Sequence, residues 1–236
     1  MREQKGCSPK TQASYEQIHW FSVIMEKYDV QYWTDSGTLL GLVREGQVLA
    51  HDSDLDFGLW DTDIPKLLLV LDFLKGQQEY RIIKEFFLGQ LFKCKIVPAD
   101  SEKLTIDINI FRRRDGHAWC PQKFVPPNPY RISDPRFWLL SCIRTPICFL
   151  WNNVAVSTSI TEFPWNLVSE IRTWWIPEKY FVSVKLLDNW NVYVPQKYTE
   201  YLTLRYGDWE TPSSSWSFWE QDGALAHWSP NILVEQ

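Results

Sequence analysis

Two short stretches constrain this chain more than any other feature. Residues 54–60, Asp-Leu-Asp-Phe-Gly-Leu-Trp, alternate polar and apolar side chains, and so do residues 104–111, Leu-Thr-Ile-Asp-Ile-Asn-Ile-Phe. A period of two is the signature of a β-strand with unlike faces. In the first, Asp54 and Asp56 share a face, and Leu55 and Phe57 turn the other way. In the second, Ile106, Ile108 and Ile110 oppose Thr105, Asp107 and Asn109. A carboxylate in mid-strand among isoleucines is not what a purely structural sheet selects. Paired side by side, the two strands would gather three acids on one face and a continuous apolar surface on the other. Like charges that close repel unless they are solvated or neutralised. A divalent cation with a taste for hard oxygen, Mg²⁺ or Mn²⁺, would neutralise them. Three carboxylates around such ions polarise a phosphoryl group and activate an attacking hydroxyl. A solvated acidic turn is the plainer reading of the Asp52-Ser53-Asp54 region taken alone.

The surrounding pattern fills in a fold. Residues 11–28 place Ile18, Phe21, Ile24 and Met25 on one helical stripe. A strand is expected at 31–34, then an Asp35-Ser36-Gly37 turn and a helix at 38–44 stopped by Glu45-Gly46. Residues 64–75 read as a helix with Pro65 in its first turn. Strands follow at 80–87, 90–97 and 104–112, the first two joined by a tight Leu88-Gly89 hairpin. That order fits an α/β (α+β) mixed β-sheet packed by helices on one side. Residues 115–135 hold five prolines and read as a loop, a lid or a boundary. Residues 136–194 allow no firm assignment. A helix is expected at 196–206, with Gly207 as its stop. We therefore expect a catalytic core over 11–115 and an aromatic-rich C-terminal region, 116–236, packed on it as one compact unit.

Composition excludes some functions. The 45% hydrophobic content supports a sizeable core. A net charge of −5 argues against nucleic acid held on a broad basic face. Cys7, Cys94, Cys120, Cys142 and Cys148 form no CxxC pair and read as free thiols of a reducing compartment. Cys94 and Cys120 with His117 make a zinc fragment without a further ligand at sensible spacing. No apolar run is long enough for a transmembrane segment. The most apolar stretch, 137–151, is interrupted by Arg144 and Pro146 and reads as a core element or a membrane-surface patch. Without a leader or anchor, a cytoplasmic location is expected, with a secretory lumen as the other possibility. Of the fourteen Trp, Trp209, Trp216 and Trp219 are candidates for stacking platforms, or for packing.

A phosphate site has its own candidates. Ser36-Gly37-Thr38 opens a helix, where backbone N–H groups attract anions, and Gly37 allows close approach. Arg44, two turns on, has the reach for a bidentate contact. An ordinary N-cap explains the Ser-Gly pair equally well. Asp52 is a supporting acid or an exposed residue at the start of the strand, His51 a pocket residue or a loop histidine, and Asp35 a supporting acid or, as the favoured role, a turn residue. Arg112-Arg113-Arg114 meets an anionic acceptor or ends a solvated strand.

Taken together, the words Tyr32-Trp33-Thr34-Asp35-Ser36-Gly37-Thr38-Leu39-Leu40-Gly41-Leu42-Val43-Arg44 and His51-Asp52-Ser53-Asp54-Leu55-Asp56 resemble the LicD and fukutin-related branch of the nucleotidyltransferase-fold superfamily. In that branch they read roughly WLDGGTLLGAVR and WDDDIDI. Residues 175–177, 192–195 and 201–212 resemble its closing signature. Ser36 stands where the family has a second Gly, His51 replaces a Trp, and Ser53 interrupts the acidic triplet. The resemblance implies a Mg²⁺- or Mn²⁺-dependent phosphotransferase. It would move a phospho-alcohol, such as phosphocholine or phospho-ribitol, from a CDP-linked donor to a glycan or glycolipid hydroxyl, releasing CMP. It implies that Asp54 and Asp56 hold metal, that Asp107 is a metal ligand or base, and that Ser36, Gly37, Thr38 and Arg44 bind the donor phosphates. Two other readings stand beside it: a nucleotidyltransferase releasing pyrophosphate, and a non-catalytic carbohydrate-binding module on the same fold.

Overall fold

A computed structural model describes residues 9–87, 89–124, 135, 142, 170–187, 189–213 and 215–227. The apolar stretch at 137–151 lies outside the described residues, apart from the single position 142, and so does most of the proline-rich run. The described chain begins with helix α1 (Pro9–Lys27), strand β1 (Tyr32–Thr34), helix α2 (Ser36–Arg44) and strand β2 (Asp54–Trp60). Helix α3 (Ile64–Lys75) follows, then β3 (Tyr80–Phe87), β4 (Gln90–Pro98) and β5 (Thr105–Arg114). These agree with the expected elements to within a residue or two at most ends. Phe87 faces Gln90 across a two-residue connection, with Gly89 at φ +75°, a conformation glycine adopts without strain.

The next region differs from expectation. Residues 117–124, expected as loop, form strand β6 (His117–Phe124), paired antiparallel with β5. The turn is Asp115-Gly116, with φ of +47° and +72°. Positive φ at both central residues is the primed hairpin turn whose twist matches the strands it joins. Strand β7 (Glu170–Pro177) pairs along all of β6, and β10 (Leu225–His227) pairs with β7. Between them lie the hairpin of β8 (Val184–Leu187) and β9 (Val192–Pro195), helix α4 (Tyr198–Tyr206) and the short helix α5 (Phe218–Gln221). Gly207 caps α4 at φ +67°, its N–H bonded to the Thr203 carbonyl.

The main sheet runs β1-β2-β5-β6-β7-β10, with β4 also on β5 and β3 on β4. It is mixed: β2 and β5 are parallel, their neighbours antiparallel. One face of β2 and β5 presents Leu55, Phe57, Leu59, Ile106, Ile108 and Ile110, all fully buried against α1 and α3. Phe57 stacks on Phe21 at 4.0 Å between ring centroids. Burying side chains of this size stabilises by about 1.5–3 kcal/mol each. The other face is not bare of helices, as expected, but carries α2 and α4. Leu39, Leu40, Tyr201 and Leu202 join Trp33, Trp60, Phe111 and Trp174 in a second, aromatic-rich cluster. Gly58 is required here, because any Cβ at that position would collide with the Trp33 indole. No helix among the described residues is long and apolar enough to cross a membrane.

Candidate active site

Strand register brings the acids together. Asp56 lies directly opposite Asp107 across the parallel β2–β5 pair, and Asp54 sits two residues before Asp56 on the same face. One carboxylate oxygen from each lies within 4.8 Å of the others, a spacing one cation can bridge. Asp54 and Asp56 are half-buried, and Asp107 is 2% exposed. Burial, then the charge of Asp107, pushes the Asp54 carboxyl up from its ordinary range. Burial and Asp54 push Asp56 up further. These are carboxylates short of positive charge.

Asp107 is the exception. On neighbouring β4, Lys95 stands opposite Asp107 and Lys93 opposite Asn109. Both ammoniums close on the same oxygen, Oδ2, at 2.6 Å from Lys93 and 3.0 Å from Lys95. Burial would raise the Asp107 carboxyl, but Lys93 and Lys95 outweigh it and hold it below the ordinary range. Burial opposes charge on Lys93 too, yet Asp107, Asp56 and Glu85 keep its ammonium above the usual lysine range. The second oxygen, Oδ1, is buried and has no hydrogen-bond partner among the described residues. Asp107 therefore offers one oxygen to a ligand while the other is occupied. The set of hard oxygens fits Mg²⁺ or Mn²⁺.

Beside the triad opens a cavity of about 730 Å³. Ser36, Gly37, Arg44, Asp52, Asp56 and Lys93 line its polar side. Trp174, Tyr206, Trp209, Trp216, Phe218 and Trp219 also line it and give it an aromatic share. All three tryptophans singled out in the sequence thus reach this cavity. A Cβ on Gly37 would come within 3.0 Å of the Asp52 carboxylate, so glycine is what lets that acid sit against the turn. Arg44 is committed at its head: it pairs with Glu45 at 2.7 Å and donates to the Trp209 carbonyl at 3.2 Å. His51 is 81% exposed, with Nε2 3.9 Å from Asp52.

Thr38 occupies a different place from its neighbours. It is fully buried, off the cavity wall, and its hydroxyl accepts the Asp56 N–H at 2.8 Å. Its structural work is to fasten α2 to the strand that carries the acids. Asp35, for which the sequence allows a supporting acid and favours a turn residue, is completely buried and accepts a hydrogen bond from the Tyr201 hydroxyl. Arg112 is neither solvated nor aimed at the cavity: it donates to the Leu91 carbonyl at 2.7 Å. Arg113 pairs with Glu178 and lies over Trp60, and Arg114 pairs with Asp115. Cys94 and Cys120 are buried, and burial pushes both thiols up to about 12. Among the described residues only the three aspartates gather as a metal-ligand group.

Sequence reasoning missed Lys93, Lys95 and the Arg205 network. The lysines left a signal: they alternate with Phe92, Cys94 and Ile96, so they had to share a face of β4. Arg205 left none, because Asp222 and Ser36 are distant in sequence. It is 1% exposed, with Nε 2.7 Å from Asp222 Oδ2.

Residues 29–154 match the sequence model of a family described as LicD/FKTN/FKRP, nucleotidyltransferase domain. An uncharacterized protein of Rickettsia typhi (strain ATCC VR-144 / Wilmington) is 39% identical over 59 residues, 25% of this chain and 19% of that protein. Another, from Rickettsia prowazekii (strain Madrid E), is 42% identical over 40 residues, 17% of this chain and 15% of its own. The matched segment thus spans under a fifth of either relative. Among solved structures, the crystal structure of ANT(2'')-Ia in complex with adenylyl-2''-tobramycin gives a TM-score of 0.33 at 16% identity, over 44% of this chain and 53% of that one. The solution structure of the same antibiotic-resistance factor gives 0.36 at 15%, over 52% and 59%.

Proposed function

The chain belongs to the LicD/FKTN/FKRP nucleotidyltransferase-domain family, and on that premise we propose that it is a metal-dependent phosphotransferase. It moves a phospho-alcohol from a CDP-linked donor to a hydroxyl of a glycan or glycolipid. The observation that carries this reading is the Asp54–Asp56–Asp107 cluster, whose Asp56 lines a cavity large enough for a nucleoside diphosphate. Asp54, Asp56 and Asp107 Oδ1 would hold Mg²⁺ or Mn²⁺, which supplies charge neutralisation and polarisation at the reacting phosphorus. Ser36, Gly37 and Arg44, which line the same cavity, bind the donor phosphates. The acceptor oxygen attacks the outer phosphorus and gives up its proton to water, the bond to the bridging oxygen breaks, and CMP leaves with that oxygen. Asp107 serves as a ligand rather than as the base, because two ammoniums lower its affinity for a proton and occupy Oδ2. Thr38 contributes by fixing Asp56.

Product analysis tests this directly. The protein with Mn²⁺ and CDP-choline, CDP-ribitol or CDP-glycerol should release CMP, faster with an acceptor glycan, as read by phosphorus NMR. Pyrophosphate released from a nucleoside triphosphate, with no CMP from any CDP-alcohol, would replace this reading with nucleotidyl transfer. Retention of the full acid cluster tells against a purely carbohydrate-binding module, which gains nothing from three repelling carboxylates.

A further inference from the structure

We propose that Arg205 is a positioning residue for the site: it holds the Ser36 hydroxyl so that the Ser36 proton is directed to a phosphate oxygen of the bound ligand. The inference rests on the donor-binding reading of the Ser36-Gly37 turn. Its basis is the polarity of one buried hydrogen-bond chain. Arg205 Nη1 lies 2.7 Å from the Tyr201 hydroxyl and 3.3 Å from Ser36 Oγ. A guanidinium only donates. Both hydroxyl oxygens must therefore accept from Nη1. Tyr201 passes its own proton to Asp35 Oδ1. Ser36 has no such onward partner in this chain of bonds, and its O–H is left for another acceptor. Ser36 and Arg205 both line the cavity that also touches Asp56 and Lys93.

The guanidinium cannot drift. Asp222 Oδ2 accepts from its Nε at 2.7 Å and from the Trp174 indole at 3.1 Å, and the Trp174 ring lies 4.1 Å below the guanidinium carbon. Ser36 itself sits at φ +48°, the left-handed region that glycine takes at no cost. A side chain kept there against its backbone preference is an observed outlier of the kind found where strain serves a site. The C-terminal helix α4 thus reaches 169 residues back along the sequence to orient a hydroxyl at the start of α2.

The test is a double-mutant cycle on the full chain. CDP is titrated calorimetrically at fixed Mn²⁺ into wild type, Ser36→Ala, Arg205→Lys and the double variant. Each single change should weaken CDP binding about tenfold, the cost of one hydrogen bond to a charged group. The double variant should be no weaker than either single one. Mn²⁺ affinity without CDP should stay at the wild-type value, because the aspartates are untouched. Ser36→Gly should lose CDP affinity as Ser36→Ala does, yet melt about 2 °C higher, because the positive φ is relieved. Additive losses in the cycle, or wild-type CDP affinity in Ser36→Ala, would overturn the inference. If Arg205→Lys does not fold, the two Ser36 variants decide alone. Wild-type protein that binds Mn²⁺ but not CDP would overturn the donor reading, and this inference with it.

Discussion

Two acidic clusters border the same cavity, one through Arg205 and one through Asp56, and they are built on different principles. Around Arg205, the acids Asp35 and Asp222 are matched by a guanidinium, a phenol and an indole. Around β2, Asp54 and Asp56 share a face with Asp107, and both ammoniums that reach this group bond to Asp107. In the first cluster the cation and its direct carboxylate partner, Asp222, both come from the protein, and the one acidic oxygen left buried without a hydrogen bond among the described residues is Asp35 Oδ2. In the second, two of the three acids lack a cation bonded to them among the described residues, and the group could hold a metal ion. Buried charge that is paired internally holds a fold together, whereas buried charge left unpaired costs stability and is kept where a ligand uses it.

The largest break should come from the first cluster. Arg205→Met leaves Asp35 and Asp222 buried without their cation, and should cost about 3–5 kcal/mol of unfolding free energy. Chemical denaturation measures it. A loss under 1 kcal/mol would show that the network does not hold α4 to the sheet. Lys93→Met breaks the shorter of the two ion pairs on Asp107, leaves Lys95 in place, and should cost about 2 kcal/mol.

The second cluster should respond with the opposite sign. Asp56→Asn removes a repelling charge, so the metal-free variant should be more stable than wild type by about 1 kcal/mol at neutral pH. Burial, then Asp54, raises the Asp56 carboxyl above its ordinary value. The folded state thus holds this proton more tightly than the unfolded chain. Wild-type stability is lost as pH climbs from the ordinary carboxylate value through the raised one, and the penalty is absent below both. The advantage of Asp56→Asn should therefore shrink as pH falls into the acid range. Equal stability of variant and wild type at neutral pH, without metal, would mean that the acids are solvated rather than strained. Asp107, whose carboxyl is lowered, adds stability above its ordinary value and gives it up as pH falls through the lowered one.

The same contrast explains what the sequence made legible. Every residue of the aspartate triad lies on a strand whose alternation is local, and pairing follows from two matching patterns. The isoleucines of β5 and the Leu-Phe-Leu of β2 announce which face is core. The helices α1 and α3 were visible by their stripes for the same reason. Strand β6 was hidden because Pro121 looked like a breaker, although the Asp115-Gly116 pair signals a primed turn. Trp174 and Ile176 of β7 alternate inward, but Trp175 between them masks the polarity difference that alternation reading needs. Most of the Arg205 network was illegible for a physical reason: Tyr201 is one helical turn away, but Asp222 and Ser36 sit 17 and 169 residues away, and only tertiary pairing brings those to Arg205.

The most direct test of the central claim, that the three aspartates form a metal centre serving the adjoining cavity, is a thermal-shift measurement. Wild type and Asp56→Asn are melted with Mn²⁺ and each of CDP, ATP, GTP and UTP, since a ligand that binds the folded state raises the midpoint by mass action. A rise that needs both Mn²⁺ and the cytidine nucleotide, and disappears in Asp56→Asn, is the predicted result. A shift that persists undiminished in Asp56→Asn, or no shift with any nucleotide, would contradict it.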